Sequence, residues 1–356
     1  MELFDYLLGK KAGGGTPTPP VLQEKSITIT ENTTTDVLPD SEYDGLSKVE
    51  IETNVQTGAD LSEYFDETYT ITNPSTIYCA GWINQIIKMP KITTQYTKWL
   101  YRGFRGNEID LSGISTNITT LEGTFQDCVN LTSLDLSNLN TSNVTNMSQM
   151  FSGCNALTSL NLTNLNTSNV TNMSFMFSTC RSLTTINLPN NFNIENVTTI
   201  AGMFSTCLVL ANIDLTKLGA SKSSSFNNMF ANCSAITNFN LSNLQTTATQ
   251  GIISSMFENC RNATIIDLSK LNVKVTSSGN MFKYCTSLTK IDIRGLDLTT
   301  ITYSQDMFGN PATNSAVPDN CLIIVADQTQ KDWVNTNFPR LTNVQTVAEY
   351  EANLNR

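Results

Sequence analysis

The chain has 356 residues, room for two or three domains, and its 40% apolar content is enough for a core. There is no histidine, which removes the commonest general base and any Ser-His-Asp or Cys-His centre. The net charge of −10 excludes nucleic acid as the main partner, because phosphate binding needs a basic footprint, and no apolar run of 18 residues is present to make a membrane span.

Residues 1–11 read as a short amphipathic helix with Leu3, Phe4, Leu7 and Leu8 on one face. The run from Gly13 to Pro20 that follows is a hinge and a stiff spacer. Together with Tyr6, the apolar face makes a candidate docking tag; a frayed tail is the other reading. The acids come early and the lysines last, which is not the order of a signal peptide.

Ser26–Thr30 and Ser47–Val55 alternate apolar and polar residues and are expected to be strands of a small β module. Ten acids and one base, Lys48, lie between Asp36 and Glu67, so nearly all of the net charge sits there. Asp60, Glu63, Asp66 and Glu67 are the one dense acidic cluster outside the later strands, and nothing in their spacing assigns them a catalytic role.

From Trp99 onward the chain is periodic. Met-Phe pairs followed by a cysteine three residues after the Phe recur at Phe151/Cys154, Phe177/Cys180, Phe204/Cys207, Phe230/Cys233, Phe257/Cys260 and Phe282/Cys285. Phe125/Cys128 opens the series without the Met, and Phe308 closes it with Pro311 in the cysteine place. The Phe-to-Phe steps are 26, 26, 27, 26, 27, 25 and 26 residues, a period that means stacked coils. Trp99-Leu100 reads as a worn first unit, with Gly103 in the cysteine place. Each unit has one short alternating strand, such as Leu160-Asn161-Leu162, and one stripe at gaps of three, such as Val144, Met147, Met150 and Phe151, expected to be a short helical or 3₁₀ turn. No unit can bury its apolar face alone, so the Phe and Cys positions are expected to form the internal core of the stack. The cysteines are expected to be buried reduced thiols; with no histidine and no Cys-x-x-Cys pair, neither a metal nor any other cofactor is expected.

The middle residue of each strand is Asp or Asn: Asp135, Asn161, Asn187, Asp214, Asn240, Asp267 and Asp292. They point outward and form a polar ladder on the sheet face. Two readings stand: hydrogen bonding to sugar hydroxyls or a hard cation, or a structural role in local turns. The frequent Asn-x-Ser/Thr triplets follow from the repeat and are not evidence of glycosylation. After the repeats, Cys321–Ala326 is expected to be a last strand and Gln328–Phe338 a short helix; the run Trp333 to Glu351 is similar to the closing segment of many repeat proteins, which implies a cover for the open end.

The string Leu131 to Cys154, repeated at Leu157 to Cys180, resembles the BspA-like leucine-rich repeats of bacterial and phage surface proteins. The resemblance implies an α/β leucine-rich-repeat solenoid with a parallel sheet and short helical or 3₁₀ turns, used in adhesion or recognition. Phe4 to Lys11, Ser26 to Glu31 and Tyr43 to Glu50 are similar to the N-terminal segment of tail and other virion-appendage proteins of phages infecting Gram-positive gut bacteria. That similarity implies a tail-fibre, baseplate or capsid-fibre protein on a virion. Its implied partners are other virion proteins at the N-terminus and a host surface protein or glycan on the solenoid, with a homotrimer as one assembly. A bacterial cell-surface adhesin and a non-binding capsid decoration are the alternatives. The expected layout is a docking helix and linker at 1–21, a β module at 22–75, the solenoid with its N-terminal cap at 76–318, and a C-terminal cap at 319–356. No catalysis is expected.

Overall fold

The computed structural model describes strands at 27–32, 47–53, 69–70, 75–79 and 92–93, and then, apart from a few residues near 99, 105–108, 110 and 190–191, the chain from 97 to 355. The candidate docking residues Leu3, Phe4, Tyr6, Leu7 and Leu8 lie outside the described residues, as do the acids from Asp60 to Glu67. Near the N-terminus, Ile27–Asn32 pairs antiparallel with Ser47–Thr53, with Ile29 opposite Ile51. Ser75–Cys79 then adds to Ser47–Thr53 in parallel, Val49 opposite Ile77.

From Tyr101 to Phe308 the chain is the expected repeat solenoid. Most of its strands are two or three residues long, with one inward apolar position; the exception is Val273–Ser277, where Val273 and Val275 both point inward. Leu160 lies over Ile186 and Ile186 over Ile213. Farther on, Phe239, Ile266, Ile291, Ile323 and Val344 continue as one parallel ladder. The strand expected around Asp135 does not join a ladder among the described residues. The first coils are held instead by the Met-Phe segments, as where Tyr101 N–H donates to Thr124 O at 2.9 Å.

The Met-Phe segment is not helical. It is a series of tight turns in which alternate N–H groups point along the stack. In one coil Gln149, Phe151 and Gly153 donate to Ser174 O, Met176 O and Ser178 O at 2.9, 2.9 and 2.8 Å. Between them, Ser152 and Cys154 donate back three residues, to Gln149 O and Phe151 O at 3.0 and 3.1 Å. A helix would spend every N–H on a carbonyl four residues back in the same segment, leaving none for the next coil. Here residues two before and two after the Phe take left-handed backbone, as at Gln149 (φ 56°) and Gly153 (φ 77°), and this re-aims the alternate groups. Asn228, Asn232, Asn259 and Asn280 hold the same positions in later coils, where a short amide side chain tolerates that conformation. At Gly153 a glycine is needed for a second reason, since a methyl group there would lie 2.2 Å from Asp127 Oδ1 of the preceding coil.

The core is a column of nine aromatic rings. Tyr101, Phe125, Phe151, Phe177, Phe204, Phe230, Phe257, Phe282 and Phe308 stack at centroid distances of 5.4–5.8 Å and interplanar angles of 3–22°. These distances place the rings in the offset arrangement that aromatic quadrupoles favour. Phe239 replaces the usual strand aliphatic and inserts edge-on between Phe230 and Phe257, 5.2 and 5.0 Å away. Burial of each such side chain contributes about 1.5–3 kcal/mol.

Tyr101, not Leu100, occupies the Phe column in the first coil, so the step to Phe125 is 24 residues and Phe104 rather than Gly103 takes the cysteine place. Cys128 Sγ accordingly donates to Tyr101 O at 3.1 Å, as each later thiol donates to the preceding Phe.

At the other end, Leu322–Val325 forms the expected strand and helix α1 spans Gln328–Asn337, N-capped by Asp327. A further parallel strand, Val344–Thr346, and helix α2, Val347–Leu354, complete the cap. Thr346 and Glu349 form a capping box at the start of α2. Phe338 meets Phe308 edge-on at 4.9 Å and 77°, which ends the parallel stack. Arg340 donates to Phe308 O at 2.6 Å and to Val317 O and Asp319 Oδ1 at 2.7 Å, supplying the carbonyl of the last ring with a donor where no further thiol exists. Pro311, in the cysteine place of that coil, has no N–H and instead starts a 3₁₀ turn capped by Asn310.

Candidate functional site

Three lines of polar groups run along the stack. The first is the outward strand ladder. Asp135 Oδ1 accepts from Ser137 N at 2.9 Å, Asn161 Oδ1 from Thr163 N at 3.1 Å, and Asp214 Oδ1 from Thr216 N at 3.1 Å. Asn240 and Asp267 do the same with Ser242 and Ser269. Each is an Asx turn, in which a side-chain oxygen accepts from the backbone two residues on and ends the strand. At Asn187 the residue two on is Pro189, which has no N–H, and no such bond forms. The bonds from Ser137 and Thr216 hold the Asp135 and Asp214 carboxyls below their usual range, through the backbone N–H first at Asp135 and the hydroxyl first at Asp214.

The ladder changes character toward the C-terminus. The members from Asp135 to Asn240 are exposed, Asp267 is half-buried and Asp292 is buried. Arg294 clamps Asp292 with both carboxylate oxygens engaged, at 2.8–3.1 Å, and reaches Glu351 of α2 at 3.9 Å. Asp292 therefore ties the cap to the sheet, whereas the members from Asp135 to Asn240 stay exposed, Asp214 with Lys217 4.0 Å from its second oxygen.

The second line accounts for part of the Asn-x-Ser/Thr triplets. Asn140, Asn166 and Asn172 accept from Ser142, Ser168 and Ser174 N–H groups at 2.9–3.1 Å, so these triplets are Asx turns, whereas in Asn143-Val-Thr145 and Asn169-Val-Thr171 the Thr N–H donates to Thr119 O and Thr145 O of the preceding coil. Threonine hydroxyls add bonds between coils, with Thr171 Oγ1 donating to Thr145 O at 3.1 Å and Thr198 Oγ1 to Thr171 O at 3.0 Å.

The third line is internal. Cys154, Cys180, Cys207, Cys233, Cys260 and Cys285 each donate Sγ–H to the carbonyl of the preceding coil's Phe at 3.0–3.1 Å. All seven column thiols are free and buried. Burial pushes Cys207 up to about 12, and pushes Cys128, Cys180, Cys233 and Cys260 well above the usual thiol range. A buried thiol so far from ionising is neither a nucleophile nor a ready metal ligand. Among the described residues no group of three or more Cys, Asp or Glu is placed to hold a metal, and no helix is long and apolar enough to cross a membrane.

Sequence reasoning placed the Phe, Cys and Asp/Asn residues but missed a set on the Met-Phe edge. Lys283 pairs with Asp306 at 3.2 Å. Arg261 Nε donates to Asn259 Oδ1 at 2.6 Å, and its guanidinium lies 5.7 Å from the ring centre of Tyr284. Asn259 in turn donates to Asn232 at 2.7 Å, and Asn232 to Thr206 at 3.3 Å. Tyr303, 48% exposed, donates its hydroxyl to Gln305 Oε1 at 3.2 Å. For Tyr284 and Tyr303 the one signal in the sequence is negative: they stand where the repeat is broken.

Comparison with known proteins gives three findings. No curated protein matches the chain. The crystal structure of the pneumococcal vaccine antigen PcpA aligns over 93% of this chain and 99% of that chain, at 12% identity and a TM-score of 0.25, too low to support any inference. A family model described as a Mycoplasma protein of unknown function, DUF285, matches residues 119–244 and 211–320, the same coils that carry the ring and thiol columns. Those two matches cover more than half of the chain, which therefore belongs to the DUF285 family, the BspA-like repeat family that its motif resembles.

Proposed function

We propose that this protein is a recognition protein of the adhesin type, whose solenoid presents polar lines of side chains to a cell surface while its N-terminal segment attaches it to its carrier. The observation that carries the reading is the division of labour within each coil. Met, Phe and Cys are consumed by the core, and what repeats outward is amide, hydroxyl and carboxylate on a rigid backbone. Such a surface holds a partner by many small contacts and concentrates no reactive group, so binding rather than catalysis is its use. Uncharged polar contact also suits a host surface glycan or protein better than a polyanion.

The carrier has two readings. Family membership supports a bacterial cell surface. The strings Phe4 to Lys11 and Ser26 to Glu31 support a phage virion appendage, in which Leu3, Phe4, Tyr6, Leu7 and Leu8 dock to other virion proteins and the subunit assembles as a trimer. Labelling with antibody against the solenoid, viewed by electron microscopy of cells and of released particles, separates them, since gold on only one of the two excludes the other. The adhesin role itself is tested by incubating the purified full chain with intact bacterial and mucosal cells. Saturable retention is expected, and no retention on any of them would overturn the reading.

A further inference from the structure

Positions that repeat are set by the fold; positions that break the repeat are free to serve something else. Two breaks on the Met-Phe edge come as matched pairs in adjacent coils. Tyr303 stands in a column that from Thr120 to Ser277 is otherwise hydroxyl, amide or, at Ile252, aliphatic. Its ring lies on Gly279, where a methyl group would come within 2.1 Å of Cε1. The equivalent residue of other coils is never glycine: Glu122, Ser148, Ser174, Ala201, Asn227, Ser254 and Gln305 stand there. Phe175 likewise lies on Gly202 of the next coil, where a methyl group would come within 2.3 Å of its Cε1. At Gly279 a coil has given up a side chain so that the Tyr303 ring can lie against bare backbone, whereas Gly202 (φ 60°) also holds the left-handed position two before the Phe and so serves the backbone as well as the ring; both rings remain partly exposed rather than joining the core.

Burying a ring for stability would place it inside, as with Phe239. A ring laid on a glycine at the surface, with its hydroxyl fixed by Gln305, is instead a pre-set flat platform. On the same Met-Phe edge Lys283 is neutralised by Asp306, and the ring's neighbours, Gly279 and Gln305, add no broad apolar area of the kind a protein partner requires. A single exposed ring edged by amide and hydroxyl groups matches one face of a pyranose, whose axial C–H groups pack on the ring while its hydroxyls take the hydrogen bonds. The two platforms are five coils apart, about 24 Å along the stack at the spacing of parallel strands.

We propose that Tyr303 on Gly279 and Phe175 on Gly202 are two glycan-binding platforms, and that their ligand is an uncharged pyranose glycan long enough, or repeated densely enough, to engage both. This rests on the adhesin reading and names its ligand class and its face, the Met-Phe edge rather than the strand ladder.

The test uses the full chain on an immobilised panel of hexose- and N-acetylhexosamine-terminated oligosaccharides, with sialylated and uronate-bearing oligosaccharides as the acidic arm. Wild type is expected to bind members of the uncharged arm. Tyr303→Ala is expected to lose at least tenfold in affinity and Tyr303→Phe to retain it. Gly279→Ala, which keeps the ring but unseats it, is expected to lose as much as Tyr303→Ala. Thermal melting of each variant confirms that the solenoid stands. Binding that is confined to the acidic arm, absent from the panel, or equal in wild type and Tyr303→Ala overturns the proposal. Cell retention separates the two readings: wild type and Tyr303→Ala held equally by cells would leave an adhesin without these platforms, whereas no retention would remove the adhesin role itself.

Discussion

On the strand face one coil is joined to the next through two or three residues, as where Leu160 opposes Ile186. On the Met-Phe edge the same two coils are joined by Gln149, Phe151 and Gly153, by a thiol, and by a ring stacked at 5.6 Å. The coils around Phe125 and Phe151 keep this edge intact even where the strand ladder is missing. The edge is therefore the spine of the solenoid, and the strand face, elsewhere the defining feature of a parallel repeat, is the part that tolerates loss. This ordering accounts for the repeat staying faithful at Phe and Cys while the loop residues drift, as at 222–225 and 246–250.

Substitutions can break or sharpen that contrast. The largest effect is expected from Phe204→Ala, which opens a cavity in the middle of the ring column and should cost about 3–5 kcal/mol in denaturant unfolding. A loss below about 1 kcal/mol would mean that the column is not the spine. Arg340→Ala should cost about 2 kcal/mol, because it strips a charged donor from Phe308 O and Val317 O at the end of that column.

The thiol line gives a pH signature. Cys207 titrates near 12 in the fold against 9.0 when free, so its raised value favours the folded state fully below pH 9. Above pH 9 the unfolded chain loses that proton while the folded chain keeps it, and stability falls until pH passes about 12. At pH 10 this thiol alone should have lost about 1.4 kcal/mol. Melting of wild type and Cys207→Ala between pH 8 and 11, under reducing conditions, should show the shallower decline in the variant. The smallest effect is expected on the strand face, where Asn161→Ala removes one exposed Asx turn and should cost about 0.5 kcal/mol by urea unfolding. A cost as large as that of Arg340→Ala would reverse the ranking of the two faces.

The stacking of coils was legible because Phe and Cys recur at a fixed step and buried positions admit few substitutes. The turn conformation of the Met-Phe segment was not, because its apolar gaps of three also suit a helix and because Gln149, Phe175 and Thr179 give no hint of left-handed backbone. One residue marks the offset of the first coil: Gly103 stands two residues after Tyr101, as Gly153 stands two after Phe151. The second cap helix announced itself through Thr346 and Glu349, but a capping box before only eight residues is a faint mark beside a long periodic signal. The strand ladder of Asp and Asn was visible as a pattern, whereas its use for Asx turns depends on the N–H two residues on, and Pro189 shows what happens when that group is lacking.

Phe338 turns its edge to Phe308, and a perpendicular ring offers no flat face on which another parallel one can settle. The terminus thereby acts as a full stop that is indifferent to how many clauses precede it. A stack with coils added or removed upstream, its junction kept in phase, would meet the same ending. Reach would then be an easily evolved quantity, adjustable in increments of about 5 Å without redesign of either extremity.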